Sequence, residues 1–443
     1  MTKRVSIIGG GWAGLAAAVE LCNKNIPVTV YESARQLGGR ARSINIDNTT
    51  LDNGQHLMIG AYQQMLSLFN TISVDEKKVF HRIPQQLEIL DLITRQSVFS
   101  LELPKLPAPL HLLVGMLRCP SLNFIEKITT LFRFNKLLNS EIKKDINVDQ
   151  WLEYSALPEK YINYVLKPLC LAALTTHTST ASARVFQTVL QQTFNDSSKN
   201  TDLLIPKVCL GQLFPQAAKQ YIEQHGGKIL TEHKVDQITF SGDRATSILI
   251  NNETIDIEHI ILATPAHIIE KLVSSSPLLK NTCEQIDRLK YEPVTTIYFQ
   301  YPQSVQLPAA MMGVVNASSE WLFDRQYCNQ PGLIAVVISA NGAHMDLTNQ
   351  ALSELIASEL QTLFPHWPKA ISSKVIREKR ACFRCTTNID KNRPGISTVI
   401  KNLTLCGDYV YFEKNNAAGL PSTLEGSMRS GVKCAQKFIQ ENN

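Results

Sequence analysis

The sequence lacks any apolar run near the roughly 18 residues that a membrane-spanning helix needs. We expect no secretory leader, because the first predicted strand begins by Arg4 and leaves no room for a charged and then apolar segment. The net charge of +5, from 44 basic and 39 acidic residues, is too small to indicate a nucleic-acid-binding protein. We therefore expect a cytoplasmic protein with no nucleic-acid partner.

A disulfide framework is also missing, since the ten cysteines are scattered as in proteins of a reducing cytosol. One C-x-x-C stands alone at Cys382-Phe383-Arg384-Cys385. On a strand its two thiols would point to opposite faces, so buried structural thiols are favoured and no metal site is predicted. The length of 443 residues suits about three domain-sized units, or two where one is built from separated segments.

A phosphate-binding turn is what the sequence does contain. An apolar strand ending at Ile8 runs into Gly9-Gly10-Gly11-Trp12-Ala13-Gly14, and an alanine-rich helix follows. Gly9 permits the tight turn, Gly11 lets the backbone approach a pyrophosphate, and Gly14 lets helix and strand pack closely. The N-terminus of the helix then offers free N–H groups to the phosphates.

A carboxylate follows at the expected distance. Glu32 ends the second predicted strand, Pro27–Tyr31, about 20 residues after the glycines, where such a residue holds a ribose hydroxyl. An acidic side chain disfavours a ribose 2′-phosphate, so NADP is not the expected ligand.

The next residues separate FAD from NAD. Ser33-Ala34-Arg35-Gln36-Leu37-Gly38-Gly39-Arg40-Ala41 resembles the A-R-x-x-G-G-R extension of the flavin amine oxidase and carotenoid desaturase superfamily. Gly39 allows another close backbone approach, and Arg35 and Arg40 offer forked donors to pyrophosphate oxygens. This stretch predicts FAD as the cofactor.

A narrower resemblance lies in Asp52-Asn53-Gly54-Gln55-His56 and the following Gly60-Ala61-Tyr62. D-N-G-Q-H-x-x-x-G-A-Y is similar to the hydroxysqualene dehydroxylases, the squalene-associated FAD enzymes of bacterial hopanoid synthesis. The resemblance implies that Gln55 and His56 lie near the flavin. His56 is then the candidate proton donor to a departing hydroxyl, which Gln55 orients. A packed core histidine is the alternative, and Tyr62, Glu425 and Arg384 are competing donors.

The C-terminal motifs resemble the family pattern G-D…G-L-P-x-T-x-E-G-x-x-R-S-G. By resemblance, Gly407-Asp408 meets the ribityl chain, Thr423 and Leu424 begin a helix that faces the flavin pyrimidine edge, and Val235 contacts adenine. Tyr409–Ala418, with Glu413, Lys414, Asn415 and Asn416, is longer than the family spacing, which predicts a rebuilt flavin-facing loop. Cys406 precedes the Gly-Asp pair, so a non-covalent cofactor is expected.

These motifs predict an α/β fold, with a Rossmann-like FAD-binding domain interleaved with a mixed α+β substrate domain. The FAD-binding segments are 1–75, 205–278 and 395–443, and the substrate segments are 76–204 and 279–394. We expect helices over 76–202 and a mostly antiparallel sheet over 279–393.

The resemblance implies reductive removal of the hydroxyl of hydroxysqualene to give squalene. A carotenoid or phytoene-type FAD desaturase is an alternative, and a non-catalytic flavin- or lipid-binding subunit of a squalene-synthase complex is another. The apolar Leu110–Arg118, after a proline-rich stretch, predicts either a buried helix or a helix that dips into one membrane interface. Expected partners are thus an apolar isoprenoid substrate, the inner face of the cytoplasmic membrane as a peripheral contact, and squalene-pathway synthases.

Overall fold

The computed structural model describes residues 3–47, 49–413 and 417–442. The strands are β1 (Val5–Ile8), β2 (Val28–Tyr31), β3 (Ser43–Ile46), β4 (Thr49–Asp52), β5 (Met58–Ile59), β6 (Phe80–Ile83), β7 (Gln86–Asp91), β8 (Gln96–Glu102), β9 (Leu203–Pro206), β10 (Lys228–Leu230), β11 (Val235–Ser241), β12 (Arg244–Ile250), β13 (Glu253–Asp256), β14 (His259–Leu262), β15 (Tyr291–Gln300), β16 (Met311–Val315), β17 (Trp321–Asp324), β18 (Leu333–Ser339), β19 (Ser372–Phe383) and β20 (Leu403–Leu405).

The α-helices are α1 (Trp12–Cys22), α2 (Gln63–Thr71), α3 (Glu76–Val79), α4 (Leu110–Arg118), α5 (Phe124–Leu138), α6 (Val148–Glu153), α7 (Glu159–Tyr161), α8 (Lys167–Leu174), α9 (Ala183–Phe194), α10 (Leu210–Leu213), α11 (Pro215–Gln224), α12 (Ala266–Val273), α13 (Lys280–Asp287), α14 (Asn349–Leu363) and α15 (Leu424–Asn442). A π-helical turn at Ile162–Leu166 joins α7 to α8. Among the described helices, none is both long and apolar enough to cross a membrane.

A five-stranded parallel sheet carries the glycine turn. Its strand order is β10-β2-β1-β14-β20. Every residue of β1 and β14 is buried, as expected of strands that helices cover on both faces. The strands come from the three segments predicted for the FAD-binding domain, and their carboxyl ends meet at one edge. The boundaries between the segments stay a prediction.

A seven-stranded sheet forms the second layer, in the order β19-β15-β18-β17-β16-β7-β8. Its neighbouring strands are antiparallel except for β16 and β7, which run parallel. The expectation of helices throughout 76–202 was wrong for β6, β7 and β8, which lie between Phe80 and Glu102. The β7–β8 hairpin is stabilised by pairing of Ile89 with Gly313, more than two hundred positions later, so local periodicity gave little sign of it.

Helices α4 to α9 pack beside this sheet and share its apolar core. A separate apolar core surrounds α1 and the parallel sheet. The predicted flavin residues Arg40 and Asp408, from the two ends of the chain, meet beside β19 of the seven-stranded sheet.

Candidate cofactor and active site

The turn after β1 is held by contacts that exclude side chains at two of its glycines. Gly9 has φ +114°, and a Cβ there would lie 2.7 Å from Ala263 O. A Cβ on Gly14 would lie only 2.0 Å from Gly9 O. A Cβ on Gly11 would meet nothing closer than Gly39 Cα, at 3.9 Å. The space in front of Gly11 therefore lies between two glycine backbones at the N-terminus of α1, a suitable cradle for a pyrophosphate.

Glu32 lies at the same edge of the sheet and is buried. Its Oε2 accepts a hydrogen bond from Gly10 N at 2.7 Å, and its Oε1 accepts one from Ala34 N at 2.8 Å. His233 N donates to the Glu32 carbonyl at 2.9 Å, which brings Val235 at the start of β11 to the same place. Glu32 and Val235 thus border one region, and their contacts with ribose and adenine stay predictions.

Arg40 and Asp408 form an ion pair that joins the two ends of the chain. Arg40 Nη2 lies 2.6 Å from Asp408 Oδ1, and Ser422 Oγ donates to the other carboxylate oxygen. Burial alone would raise the pKa of Asp408, but the charge of Arg40 and these hydrogen bonds hold the pKa below its ordinary value. Asp408 is therefore an ionised acceptor at neutral pH, as a group that binds a ribityl hydroxyl needs to be.

Arg35 lies in a different environment. It pairs with Glu232 at 2.9 Å, and the two side chains are 85% and 60% exposed. The structure thus brings Arg40, and not Arg35, into the buried part of the site. The contact of Arg35 with a pyrophosphate stays a prediction, as does that of Gly39.

Two buried phenols without a hydrogen-bond partner in the described part of the chain lie near the Arg40–Asp408 pair, and a buried hydroxyl without one belongs to a residue beside Gly9. Tyr291 OH and Tyr409 OH make no hydrogen bond to the described residues, and neither does Thr264 Oγ1, two residues after β14. Burial, with the nearby charge of Asp408, raises the pKa of both tyrosines, so both phenols are protonated donors. Because buried phenols normally have an acceptor, these atoms indicate room for a ligand rich in oxygens. FAD fits, since its phosphates, ribityl chain and ring carbonyls provide such acceptors.

The sequence analysis missed both tyrosines. Tyr291 begins β15 of the seven-stranded sheet, and Tyr409 only follows the Gly407-Asp408 pair, so neither has a local pattern of its own.

Gln55 and His56 lie on the loop between β4 and β5, and each is held by a specific contact. His56 Nδ1 lies 2.9 Å from Gly54 O, and Gln55 Oε1 accepts from Arg325 Nη1 at 2.7 Å. Burial lowers the pKa of His56, and the charge of Asp52 and the Gly54 carbonyl only partly oppose this effect. The ring is therefore mostly neutral at pH 7. Arg325 is a third residue that the sequence analysis missed.

The three competing proton donors are less suitable. Burial and the charge of Glu425 raise the pKa of Tyr62, which makes it a weak acid. The Glu425 carboxylate accepts from two backbone N–H groups at the start of α2, at 2.9 and 3.0 Å, and from Arg429 at 2.7 Å. Arg384 Nε lies 2.5 Å from Glu292. Glu425 is thus occupied as an acceptor, and Arg384 is engaged with another carboxylate.

The last helix begins at the predicted residues. Leu424 is the first residue of α15, and Thr423 Oγ1 accepts from Gly426 N at 3.1 Å, which caps the first turn. This helix start lies beside Ser422 and Asp408. Of the loop that was predicted to be rebuilt, Lys414, Asn415 and Asn416 lie outside the described residues.

Comparisons with known proteins agree with this geometry. A family model described as flavin containing amine oxidoreductase matches residues 12–439. A hydroxysqualene dehydroxylase from Sinorhizobium fredii is 27% identical, with 100% of both chains covered. A hydroxysqualene dehydroxylase from Rhodopseudomonas palustris is 28% identical, with 99% of both chains covered. The resemblance inferred from the motifs is thereby confirmed. A 15-cis-phytoene desaturase from Arabidopsis thaliana is 21% identical, over 99% of this chain and 80% of its own length.

The fold is also found in solved structures. An oxidoreductase from Methanosarcina mazei has a TM-score of 0.76 at 14% identity, with 98% of this chain and 100% of that chain covered. A putrescine oxidase has a TM-score of 0.70 at 14% identity, with 99% of each chain covered. These matches confirm the predicted α/β fold class. The chain belongs to the flavin-containing amine oxidoreductase family and is an FAD-dependent oxidoreductase.

Proposed function

We propose that this oxidoreductase removes the hydroxyl group of hydroxysqualene reductively and releases squalene and water. Reduced FAD, when bound, supplies the hydride. The substrate C–O bond breaks, a C–H bond forms at the same allylic carbon, and a proton leaves with the hydroxyl as water. The observation that supports the proposal is His56, a protonatable group on the loop that we expect beside the flavin from the resemblance to the dehydroxylases.

The proton has one suitable route through this chain. Because a carbonyl oxygen only accepts, His56 Nδ1 must carry the hydrogen in its 2.9 Å contact with Gly54 O. The neutral ring then leaves Nε2 as a bare acceptor. We infer that His56 acts after protonation, as an imidazolium that gives its Nε2 proton to the departing hydroxyl. Gln55 orients that oxygen, and the apolar surroundings exclude water from the cation formed.

A desaturase is the second candidate, supported by the similarity to the phytoene desaturase. Desaturation moves hydride from substrate to oxidised FAD and uses no acid at the leaving position. Two anaerobic incubations separate the reactions. Reduced protein with hydroxysqualene should yield squalene, whereas oxidised protein with squalene or phytoene should yield no new double bond. The opposite pair of results would establish the desaturase.

We also propose that α4 and α5 contact an anionic membrane surface from which the apolar substrate enters. Their exposed faces carry Leu110, Leu113 and Leu117 on α4 and Phe124, Ile125 and Phe132 on α5. The last three are 73–75% exposed. Apolar side chains concentrated on adjacent helices are unusual on a protein surface that faces only water.

The charge of the same region supports an anionic partner. Residues 104–144 contain seven basic and two acidic side chains. The net charge of this stretch is therefore +5, as large as that of the whole chain. Basic residues beside an apolar face are attracted to anionic lipid head groups. Contact with squalene-pathway synthases stays a prediction.

The exposure of each side chain decides which variants can test the membrane contact. Leu112 is half-buried against the apolar core, so changing it would disturb the fold. Phe124→Glu with Phe132→Glu alters only exposed positions and should reduce flotation with phosphatidylglycerol liposomes while FAD content is kept. Ile93→Glu, at another 74% exposed position, is the matched control and should float like the wild type. Equal flotation of all three proteins would contradict the membrane contact.

A further inference from the structure

A buried ion pair joins the end of β4, in the two-stranded β3–β4 sheet, to the seven-stranded sheet. Arg325 Nη2 lies 3.0 Å from Asp52 Oδ2, and the two side chains are only 1% and 2% exposed. Asp52 ends β4, three residues before Gln55, whereas Arg325 directly follows β17 in the seven-stranded sheet. The pair therefore connects the loop that carries the candidate catalytic residues, Gln55 and His56, to the seven-stranded sheet.

Hydrogen bonds fix both members of this pair. Asp52 Oδ1 accepts from Leu210 N at 2.8 Å, and Tyr298 OH donates to the Asp52 carbonyl at 3.0 Å. Arg325 Nε donates to Gln330 Oε1 at 3.0 Å. The guanidinium consequently has little freedom to rotate, and its Nη1 group is aimed in one direction.

The Nη1 group of Arg325 points at the side-chain amide of Gln55. Arg325 Nη1 donates to Gln55 Oε1 at 2.7 Å, which is the shortest contact of the Gln55 side chain. The positive charge favours the amide oxygen on this side, because an amide nitrogen facing the guanidinium would bring donor against donor. The Nε2 group thereby faces away from Arg325, and its hydrogen bond among the described residues is a long one, 3.3 Å, to His56 O.

A buried ion pair adds little to the stability of a fold, because the loss of hydration opposes the attraction of the charges. Its use here is better explained by orientation. We propose that Arg325 is a positioning residue, held by Asp52, that fixes the Gln55 amide so that Nε2 is presented as a hydrogen-bond donor beside His56. The identity of the group that Nε2 meets, the substrate hydroxyl oxygen, rests on the proposed function.

A mutant cycle between Arg325 and Gln55 tests whether the two act together. Arg325→Lys keeps a charge for Asp52 but lacks the planar fork that reaches Gln55. The absorption spectrum of bound FAD, measured without substrate, should shift in Arg325→Lys and in Gln55→Ala. The double variant should show the Gln55→Ala spectrum with no further change. Arg82→Lys, which alters a half-buried pair with Glu76 and Asp202, is the matched control and should leave the spectrum unchanged.

Turnover adds a second readout. Arg325→Lys should lower kcat about tenfold, less than the loss of a whole catalytic group would, with less than about a threefold change in KM. In the Gln55→Ala background the same substitution should change kcat less than about twofold. Additive effects in both readouts would overturn the proposal and leave Arg325 with a structural role. If the wild type does not form squalene, the proposed function fails, and the spectral cycle alone still decides whether Arg325 positions Gln55.

Discussion

His56 Nδ1 lies 2.9 Å from the carbonyl oxygen of Gly54, two residues earlier in the chain. This contact assigns the Nδ1 hydrogen and leaves Nε2 free for chemistry. We predict that His56→Ala keeps its FAD and loses about 10²-fold in kcat, the usual scale for one general acid. His225→Ala, at an exposed histidine after α11, is the control. Wild-type turnover by His56→Ala would place the acid elsewhere.

The lowered pKa of His56 predicts a pH dependence. Burial, its largest cause, moves the pKa below 6.5, so the protonated fraction falls about tenfold for each pH unit above that value. The ratio of wild-type kcat to that of His56→Ala should therefore fall with a slope of about −1 on a logarithmic scale between pH 7 and 8.5. Taking the ratio removes titrations of the flavin that both proteins share. A ratio that is constant or rises with pH would contradict the imidazolium as acid.

Acid stability should depend on another histidine. His259 is buried at the start of β14 with its ring 4.6 Å from that of Phe438, and burial lowers its pKa to about 4. The unfolded chain binds this proton near pH 6.5 and the folded chain near pH 4, so stability present above pH 6.5 is lost as the pH falls. Between pH 7 and pH 5 the loss should be about 2 kcal/mol.

Urea unfolding at the two pH values measures this loss. His259→Leu fills a similar volume without a titrating group and should reduce the difference by about that amount. An unchanged difference would assign the acid sensitivity to other groups.

The glycine turn gives a prediction on cofactor binding. A Cβ on Gly14 would lie 2.0 Å from Gly9 O, so Gly14→Ala must displace α1 from the turn. The purified variant should contain little FAD, as measured by absorbance after acid release. Gly395→Ala adds a Cβ that meets nothing within 4 Å and should bind FAD normally. Full FAD content in Gly14→Ala would show that the close packing of helix and strand is not required.

The attachment of FAD is a separate prediction. Cys406 is fully buried and interacts with Cys434, so its thiol is already engaged within the apolar core. We expect acid precipitation to release all of the flavin as FAD into the supernatant. Flavin that stays with the protein pellet would indicate a covalent bond.

The sequence revealed the parts of the site that are local in the chain. The glycine turn, Glu32 and the start of α15 each depend on residues within one strand–turn–helix unit, so their patterns were sufficient. The contacts between distant segments had no such pattern. Gln55 meets Arg325 across 270 positions and Arg40 meets Asp408 across 368, because tertiary packing of distant segments brings them together.

The same limit explains the β7–β8 hairpin and Tyr291. The hairpin pairs with β16, and Tyr291 lies on a strand that pairs with β19. The periodicity of a single sequence does not show which distant strands pair. Arg35 differs from Arg40, since its side chain pairs with Glu232 at the surface, and its predicted contact with a pyrophosphate stays a prediction.

The central claim is the direction of electron flow onto an allylic alcohol. The most direct measurement is an anaerobic single turnover, in which protein with fully reduced FAD is mixed with hydroxysqualene while flavin absorbance and extracted products are followed. The account predicts that the flavin becomes oxidised and that one squalene forms for each flavin. Flavin that stays reduced, or that becomes oxidised without squalene, would contradict it.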